Sequence, residues 1–154
     1  MALRNILNEK EPLLRKKSRP VTEFNDRLHE LLDDMKETLL LADGVGLAAP
    51  QVGVLRRAVI VNVDDNYIEL INPEIVSAKG EETSPEGCLS IPGVCGTVTR
   101  PYQVKVKAFD RNGKQFTVSG KGLLARAFCH EIDHLDGILF IDKVIDFCNE
   151  NGER

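Results

Sequence analysis

The chain has 154 residues, of which 42% are apolar and 29% are charged, and its formal net charge is −4 at pH 7. This length and composition are typical of one globular domain, so we predict a single domain over residues 1–154. The negative charge argues against stable nucleic-acid binding, and apolar runs such as Leu39–Ala42 are far shorter than a membrane span of about 20 residues. No secretory signal follows Met1, so the cytoplasm is the expected compartment.

The predicted elements alternate little between helix and strand. Apolar residues spaced as on one helix face run from Phe24 to Leu39, with Thr22 as the predicted N-cap and Gly44 at the end. Strand patterns follow at 57–63, 67–71 and 74–77, and a hairpin at 105–109 and 114–118 surrounds an Asn-Gly turn. A second helix is predicted from Gly122 to Asp136, ended by Gly137. This order predicts an α+β fold.

The glycine-rich stretch Gly44–Gly53, GVGLAAPQVG, resembles a dinucleotide-binding loop because its first six residues fit G-x-G-x-x-A. Such a loop must follow a strand and open a helix, so that the helix N-terminus meets the pyrophosphate. Here the glycines follow a helix and precede a strand, and Pro50 stands where the helix would continue. We therefore reject the nucleotide interpretation.

The strongest chemical signal is His130-Glu131-Ile132-Asp133-His134 in the second predicted helix. Side chains at i and i+4 share a helix face, so His130 and His134 can bind one metal ion while Glu131 addresses a water. Asp133 either steadies one of the imidazoles or forms a surface ion pair.

A catalytic site of this kind needs a third protein ligand and an open position. An extended form of this motif places a third histidine ligand at position 140, but residue 140 is Phe. His29 lies among charged neighbours on the first predicted helix, which predicts a surface residue. Thiolates remain as candidates, but spacing alone does not select Cys88. We expect Cys95, Cys129 and Cys148 to be reduced thiols, given the absence of a secretory signal.

Three segments in this order resemble the motifs of peptide deformylase: GVGLAAPQ at 44–51, EGCLS at 86–90 and HEIDH at 130–134. The resemblance implies mostly antiparallel sheets packed around a central helix that carries the HExxH motif. It also implies a catalytic domain that removes the formyl group from the N-formylmethionine of nascent polypeptides and releases formate. The implied site residues are the metal ligands Cys88, His130 and His134, the general acid/base Glu131, and the formyl-oxygen donors Gln51 and the backbone N–H of Leu89.

The implied cofactor is one divalent metal ion, with ferrous iron in the cell and zinc, nickel or cobalt as alternative occupants. Two imidazoles and a thiolate leave the ion one net positive charge and a vacant position for water. Such an ion can lower the pKa of water to about 7. Glu131 can then accept the water proton and return it to the leaving amine.

The implied substrate is an N-formylmethionyl peptide lying between the Val45-Gly46 and Gly87 segments, where side chains would obstruct its backbone. We expect Leu123, Arg126 and Ala127 to form the methionine pocket with Val45. For Arg126 we predict a methylene stem packed against the substrate and a guanidinium reaching water.

The resemblance also implies transient association with the ribosome. The tail from Asp142 onward is acidic, so we predict that it does not bind ribosomal RNA strongly. The chain departs from many family members at Cys95, where they carry an arginine. Two alternatives remain open at this point, an HExxH zinc endopeptidase and a binding module with a structural metal.

Overall fold

The structure, a computed structural model, describes residues 2–148. This part of the chain forms two α-helices, eight strands and three short 3₁₀ turns. The helices are α1 Asp26–Ala42 and α2 Leu123–Leu135, and the strands are β1 Gly46–Ala48, β2 Ala58–Val63, β3 Asn66–Lys79, β4 Glu82–Cys88, β5 Ile91–Arg100, β6 Gln103–Phe109, β7 Gln115–Lys121 and β8 Asp146–Phe147. Neither helix is long and apolar enough to cross a membrane.

The strands form two antiparallel sheets. One has five strands in the order β1-β2-β3-β6-β7, and the other has three in the order β4-β5-β8. The predicted α+β class is therefore confirmed. β1 and β4 each end a sheet, so each has one edge without a strand partner within residues 2–148.

Helix α1 presents Leu28, Leu32, Met35 and Leu39 to a buried cluster shared with β2. Its N-cap is Asn25, whose side chain accepts a hydrogen bond from the Leu28 N–H over 3.2 Å. The prediction of Thr22 as the cap was wrong. Both residue types cap helices well, and the local sequence does not decide between them.

The strand predicted at 67–71 and the one at 74–77 are halves of a single strand, β3. The pairing register with β6 shifts between Ile71 and Glu74, where Asn72 adopts a left-handed backbone conformation with φ 51°. The Asn72 side chain accepts a hydrogen bond from the Val21 N–H and donates one to the Val21 carbonyl oxygen. A bulge of this kind bends the strand without ending it. The predicted hairpin is confirmed as β6–β7.

Helix α2 begins after Gly122 and ends before Gly137, as predicted. Gly137 has φ 74°, and a Cβ there would collide with the carbonyl oxygen of Arg15. One face of α2, with Ala125, Phe128 and Ile132, packs into the core of the five-stranded sheet. The face that carries Arg126 and His130 meets β4 instead. The helix therefore lies between the two sheets and carries the HExxH motif to the place where they meet.

Cys95 and Cys148 form a disulfide that joins β5 to the end of β8. The prediction that these two residues are reduced thiols was wrong, because the β5–β8 pairing brings together residues 53 positions apart. Cys129 is a free, buried thiol, and burial raises its pKa. The end of the acidic tail predicted from Asp142 onward, residues 149–154, lies outside the described residues.

Candidate metal centre

Three side chains from two elements converge where α2 meets β4. His130 and His134 are one helical turn apart on α2, and Cys88 ends β4 at its tight turn into β5. Their candidate ligand atoms all lie within 4.8 Å of one another. The Cys88 Sγ lies 3.4 Å from Nε2 of His134. The structure thus brings together the three residues predicted as ligands.

This donor set fits a divalent metal ion. Zinc-type bonds of about 2.3 Å to sulfur and about 2.0–2.1 Å to nitrogen place tetrahedral ligand atoms about 3.3–3.6 Å apart. The observed Sγ to Nε2 distance of 3.4 Å is close to the separation of about 3.5–3.6 Å that these bonds give for a sulfur and a nitrogen. Three protein ligands leave a tetrahedral ion one further position, which is the arrangement of catalytic sites.

Glu86 orients one of the histidines. Its Oε1 accepts a hydrogen bond from Nδ1 of His130 over 2.9 Å, which leaves Nε2 of that ring for a metal. Arg100 donates to both Glu86 oxygens, and Arg126 Nη1 donates to Oε2 over 2.6 Å. Burial alone would raise the pKa of Glu86, but the bonds from Arg100 and His130 hold it well below its usual range. Glu86 is therefore an anion throughout the neutral pH range.

The two imidazoles have different electrostatic surroundings. Burial lowers the pKa of His134 to about 3, and the positive groups His130 and Arg100 act in the same direction. Burial also opposes a charge on His130, but Glu131, Cys88 and Glu86 outweigh it and raise the pKa of that ring to about 10. His134 thus presents a neutral nitrogen, and a metal ion at His130 replaces a proton that its neighbours favour.

Glu131 lies beside this cluster with its carboxylate in the protein interior. Its Oε2 lies 4.0 Å from Nε2 of His130, and Oε1 has no hydrogen-bond partner within residues 2–148. Burial raises the pKa of Glu131 to about 7, and the negative charge of Glu86 adds to this increase. A Cβ on Gly46 would lie 2.5 Å from Oε2, so only glycine leaves room for this carboxylate beside β1. Glu131 can therefore gain and lose a proton near neutral pH.

Gln51 is held in a fixed orientation in a 3₁₀ turn, Ala49–Val52. Its Oε1 accepts a hydrogen bond from the Ala48 N–H over 2.9 Å, and its Nε2 donates to Ser90 Oγ over 3.0 Å. The same nitrogen lies 3.5 Å from Cys88 Sγ. Gln51 is only 1% exposed, which rules out a surface amide at this position. One amide hydrogen of Gln51 is thus donated to Ser90, and the other points to Cys88 in the ligand cluster.

A cavity of about 390 Å³ opens onto the ligand cluster and lies between β1 and the end of β4. All six residues predicted to contact substrate line it, and Leu123 stands at its rim with 51% of its surface exposed. The lining residues from the sequence prediction are Val45, Gly46, Gln51, Gly87, Cys88, Leu89, Leu123, Arg126, Ala127, His130 and Glu131.

The predicted orientation of Arg126 was wrong. Its side chain lines the cavity, but the residue is only 4% exposed and its guanidinium points away from water. Besides Glu86, the guanidinium donates to the carbonyl oxygens of Val98 and Glu82 over 2.9 and 2.7 Å. A buried anion and strand carbonyls satisfy this cation better than distant solvent does. Arg126 thus fastens α2 to the β4–β5 hairpin.

Two other predicted residues lie outside the ligand cluster. Asp133 forms ion pairs with Arg100 over 2.6 Å and with Lys143 over 3.0 Å, in agreement with the ion-pair alternative. His29 is half-buried on α1, and its Nε2 lies 2.7 Å from the carbonyl oxygen of Arg111. It is not one of the clustered ligand candidates.

The sequence analysis did not identify Glu86 or Arg100 as parts of the site. A carboxylate two residues before a candidate thiolate ligand was the available signal, because metal-binding histidines usually donate their second N–H to a carboxylate. The two residues lie 14 positions apart and 44 and 30 positions before His130, and only the β4–β5 pairing and its packing on α2 bring them together.

Comparison with known proteins gives the same family from sequence and from structure. A family model for polypeptide deformylase matches residues 3–150. A peptide deformylase of Caldicellulosiruptor bescii is 58% identical over 150 residues, covering 97% of this chain and 90% of that protein. A peptide deformylase crystal structure from Legionella pneumophila superposes with a TM-score of 0.90 at 47% identity, covering 93% of this chain and 86% of the other. The corresponding structure from Thermotoga maritima gives a TM-score of 0.91 at 39% identity, with coverage of 94% and 99%. The chain therefore belongs to the polypeptide deformylase family.

Proposed function

We propose that Cys88, His130 and His134 hold one divalent metal ion, and that residues around them remove the formyl group from N-formylmethionyl peptides. The observation that carries this proposal is the convergence of three ligand atoms within 4.8 Å, beside a cavity bordered by two open sheet edges. Membership of the deformylase family identifies a metal-dependent hydrolase, and it gives no support to the HExxH endopeptidase alternative.

The metal contributes Lewis-acid activation of water and of the formyl carbonyl when it is bound. A thiolate and two imidazoles accept iron, zinc, cobalt or nickel, and affinity alone does not determine the occupant. We propose ferrous iron in the cell, as the resemblance to the family implies.

Glu131 moves the proton in this scheme. Burial raises the pKa of Glu131, which favours transfer of a proton from the attacking water to its carboxylate and from there to the leaving amine. Oε1 lacks a partner within residues 2–148, so it is available for that exchange. The carboxyl group is buried against Gly46, which keeps it beside the ligand cluster.

The formyl oxygen becomes negatively charged as the water attacks, and it needs donors that are already in place. We propose Gln51 Nε2 and the backbone N–H of Leu89 for this role. The bonds from Ala48 and to Ser90 hold the Gln51 amide rigidly, while its 3.5 Å contact with Cys88 Sγ is the weaker one. A substrate oxygen can replace that weaker contact without turning the amide.

The peptide backbone of the substrate has two open edges available. β1 and β4 each end a sheet, and their residues Gly46 and Gly87 line the cavity. An extended peptide can pair with such an edge through its own N–H and C=O groups. We assign the methionine side chain to the apolar wall formed by Val45, Leu123 and Ala127, with the stem of Arg126 behind it.

We also propose that residues 1–154 act as one catalytic domain in the cytoplasm and meet their substrates in transient contact with the ribosome. Ribosomes in the cytoplasm make the formylated nascent peptides, which supports the proposed compartment and the proposed contact with the ribosome. The net charge of −4 favours a brief encounter over tight binding to RNA.

The decisive test is anaerobic purification with elemental analysis, followed by a formate-release assay on a formyl-Met peptide. We expect one metal ion per chain and formate release that Glu131→Ala abolishes while the metal is retained. Glu30→Ala, on the exposed side of α1, is the matched control and should keep full activity. A metal-loaded protein that releases no formate would overturn the proposal.

A further inference from the structure

The segment 144–148 is joined to β5 by the disulfide and by a short stretch of antiparallel pairing. β8 has only two residues, and Ile145 and Phe147 expose 59% and 62% of their surfaces. The Ile145 N–H donates to the Thr97 carbonyl oxygen and the Cys148 N–H donates to that of Cys95, each over 2.8 Å. The Thr97 hydroxyl also donates to the Asp146 carbonyl oxygen over 3.2 Å. A strand this short is marginal by itself, and the disulfide adds a covalent bond to its pairing with β5.

This segment is also linked to the substrate cavity. Gly93 and Val94, which directly precede Cys95, line the cavity. Val144 and Val94 both pack against the buried cluster formed by Ile91, Val98, Leu139 and Phe140, and a Cβ on Gly96 would lie 2.5 Å from Val144 Cγ2. Release of residues 144–148 would therefore remove Val144 from the cluster that supports Val94 in the cavity wall.

We propose that the Cys95–Cys148 disulfide is a reversible redox-sensitive cross-link that sets substrate affinity. Both cysteines are only partly buried, so a small thiol from solvent can reach the sulfurs. A glutathione-class thiolate attacks one sulfur, the S–S bond breaks to give a mixed disulfide, and a second thiol releases it. In total, two small thiols are oxidised to one small disulfide while Cys95 and Cys148 become thiols; a small disulfide reverses the reaction.

Reduction acts on substrate binding and leaves the chemical step intact. The histidine ligands and Glu131 lie on α2, and Arg126 fastens that helix to β4 without using β8. The third ligand, Cys88, is held by its pairing with Ile91 at the β4–β5 turn. A loosened Val94 must be ordered again when substrate binds, so we expect KM to rise about fivefold with kcat unchanged.

The experiment compares wild-type protein with Cys95→Ser/Cys148→Ser, each loaded with Ni²⁺ and equilibrated in reduced or oxidised glutathione. Three measurements are made: peptide mapping without reductant, hydrogen exchange at the Ile145 and Cys148 amides, and formate-release kinetics. The kinetic measurement depends on the deformylase activity, whereas mapping and exchange do not. Cys129→Ala, which removes the buried free thiol, is the matched control.

We expect a cross-linked 95–148 peptide only in oxidised wild type, with exchange at both amides about tenfold faster after reduction. The double serine variant should behave as reduced wild type does in both buffers, and Cys129→Ala should behave as wild type. The proposal fails if no cross-linked peptide forms, if wild-type KM is equal in the two buffers, or if the double variant keeps a redox-dependent KM. A redox-dependent KM in the double variant would assign the change in KM to oxidation of Cys88.

Discussion

Oε1 of Glu86 accepts a hydrogen bond from Nδ1 of His130 over 2.9 Å, inside a pocket closed by two arginines. Glu86→Gln puts an amide N–H₂ against guanidinium donors, so the residue can no longer satisfy His130 and both arginines. We expect metal affinity to fall about 10- to 100-fold, measured by competition with a chelator. Glu82→Gln is the control, because that carboxylate is 3.9 Å from Arg126 and half exposed. Equal affinities in the two variants would contradict this role for Glu86.

Gly46 leaves room for the Glu131 carboxylate, and its replacement should displace that group. The new Cβ in Gly46→Ala would lie 2.5 Å from Oε2, so we expect kcat to fall about 100-fold, as for a catalytic group misplaced by about 1 Å. The comparison is Gly87→Ala, where the nearest atom to a new Cβ is the Val94 carbonyl oxygen at 3.6 Å. That variant should fold normally because its methyl group has room in the protein. We expect KM to rise and kcat to stay unchanged, because the methyl group obstructs the incoming peptide. A lowered kcat for Gly87→Ala with Gly46→Ala unaffected would reverse these assignments.

Gln51 should matter for the transition state and little for metal binding. Gln51→Leu removes the amide donors at nearly constant volume, so we expect kcat to fall about 10²- to 10³-fold with metal content unchanged. The substitution also removes the hydrogen bonds of Gln51 with Ala48 and Ser90, so it should lower the free energy of unfolding. Urea unfolding measures that loss separately from kcat. Gln115→Leu, at an exposed site on β7, controls for the loss of an amide. Unchanged kcat in Gln51→Leu would exclude Gln51 as a donor to the formyl oxygen.

Asp34 couples stability to acid pH. Its carboxylate accepts hydrogen bonds from the Ala2 N–H and from Arg4, and these lower its pKa although burial opposes them. A lowered folded-state pKa means that the contribution is present above the unfolded pKa of about 3.9 and is lost as pH falls through the folded value. We therefore expect Asp34→Asn to be less stable than wild type at pH 7 and the difference to shrink below about pH 4. Urea unfolding across this range measures it, with Asp64→Asn in an exposed turn as the control. A difference that stays constant with pH would exclude the ionised carboxylate as its source.

The parts of the site that follow local rules could be predicted from the sequence. The i, i+4 spacing placed His130 and His134 on one helix face, and Gly122 and Gly137 marked the ends of α2. Cys88 came from the family resemblance, because no local rule selects one thiol among four. Its convergence with the histidines depends on the turn between β4 and β5.

The remaining features depend on pairing between distant segments. Glu86 and Arg126 are 40 positions apart, and their ion pair exists because α2 packs on β4. The Cys95–Cys148 bond and the Asn72 bulge also need partners that a periodicity argument does not see. Long-range contacts also turned Arg126 inward, where an exposed cation at the cavity wall was expected.

The open edge of β1 has a consequence for self-association. Unpaired strand edges template pairing between molecules, and proteins usually protect them with another strand, a charge or a bulge. Those protections would also obstruct a peptide that enters beside Gly46. This chain keeps the edge short, with three residues before a turn that contains Pro50, whose nitrogen has no hydrogen to donate. The brevity of β1 thus limits the length of backbone that another molecule can pair with, while Gly46 stays accessible to a peptide.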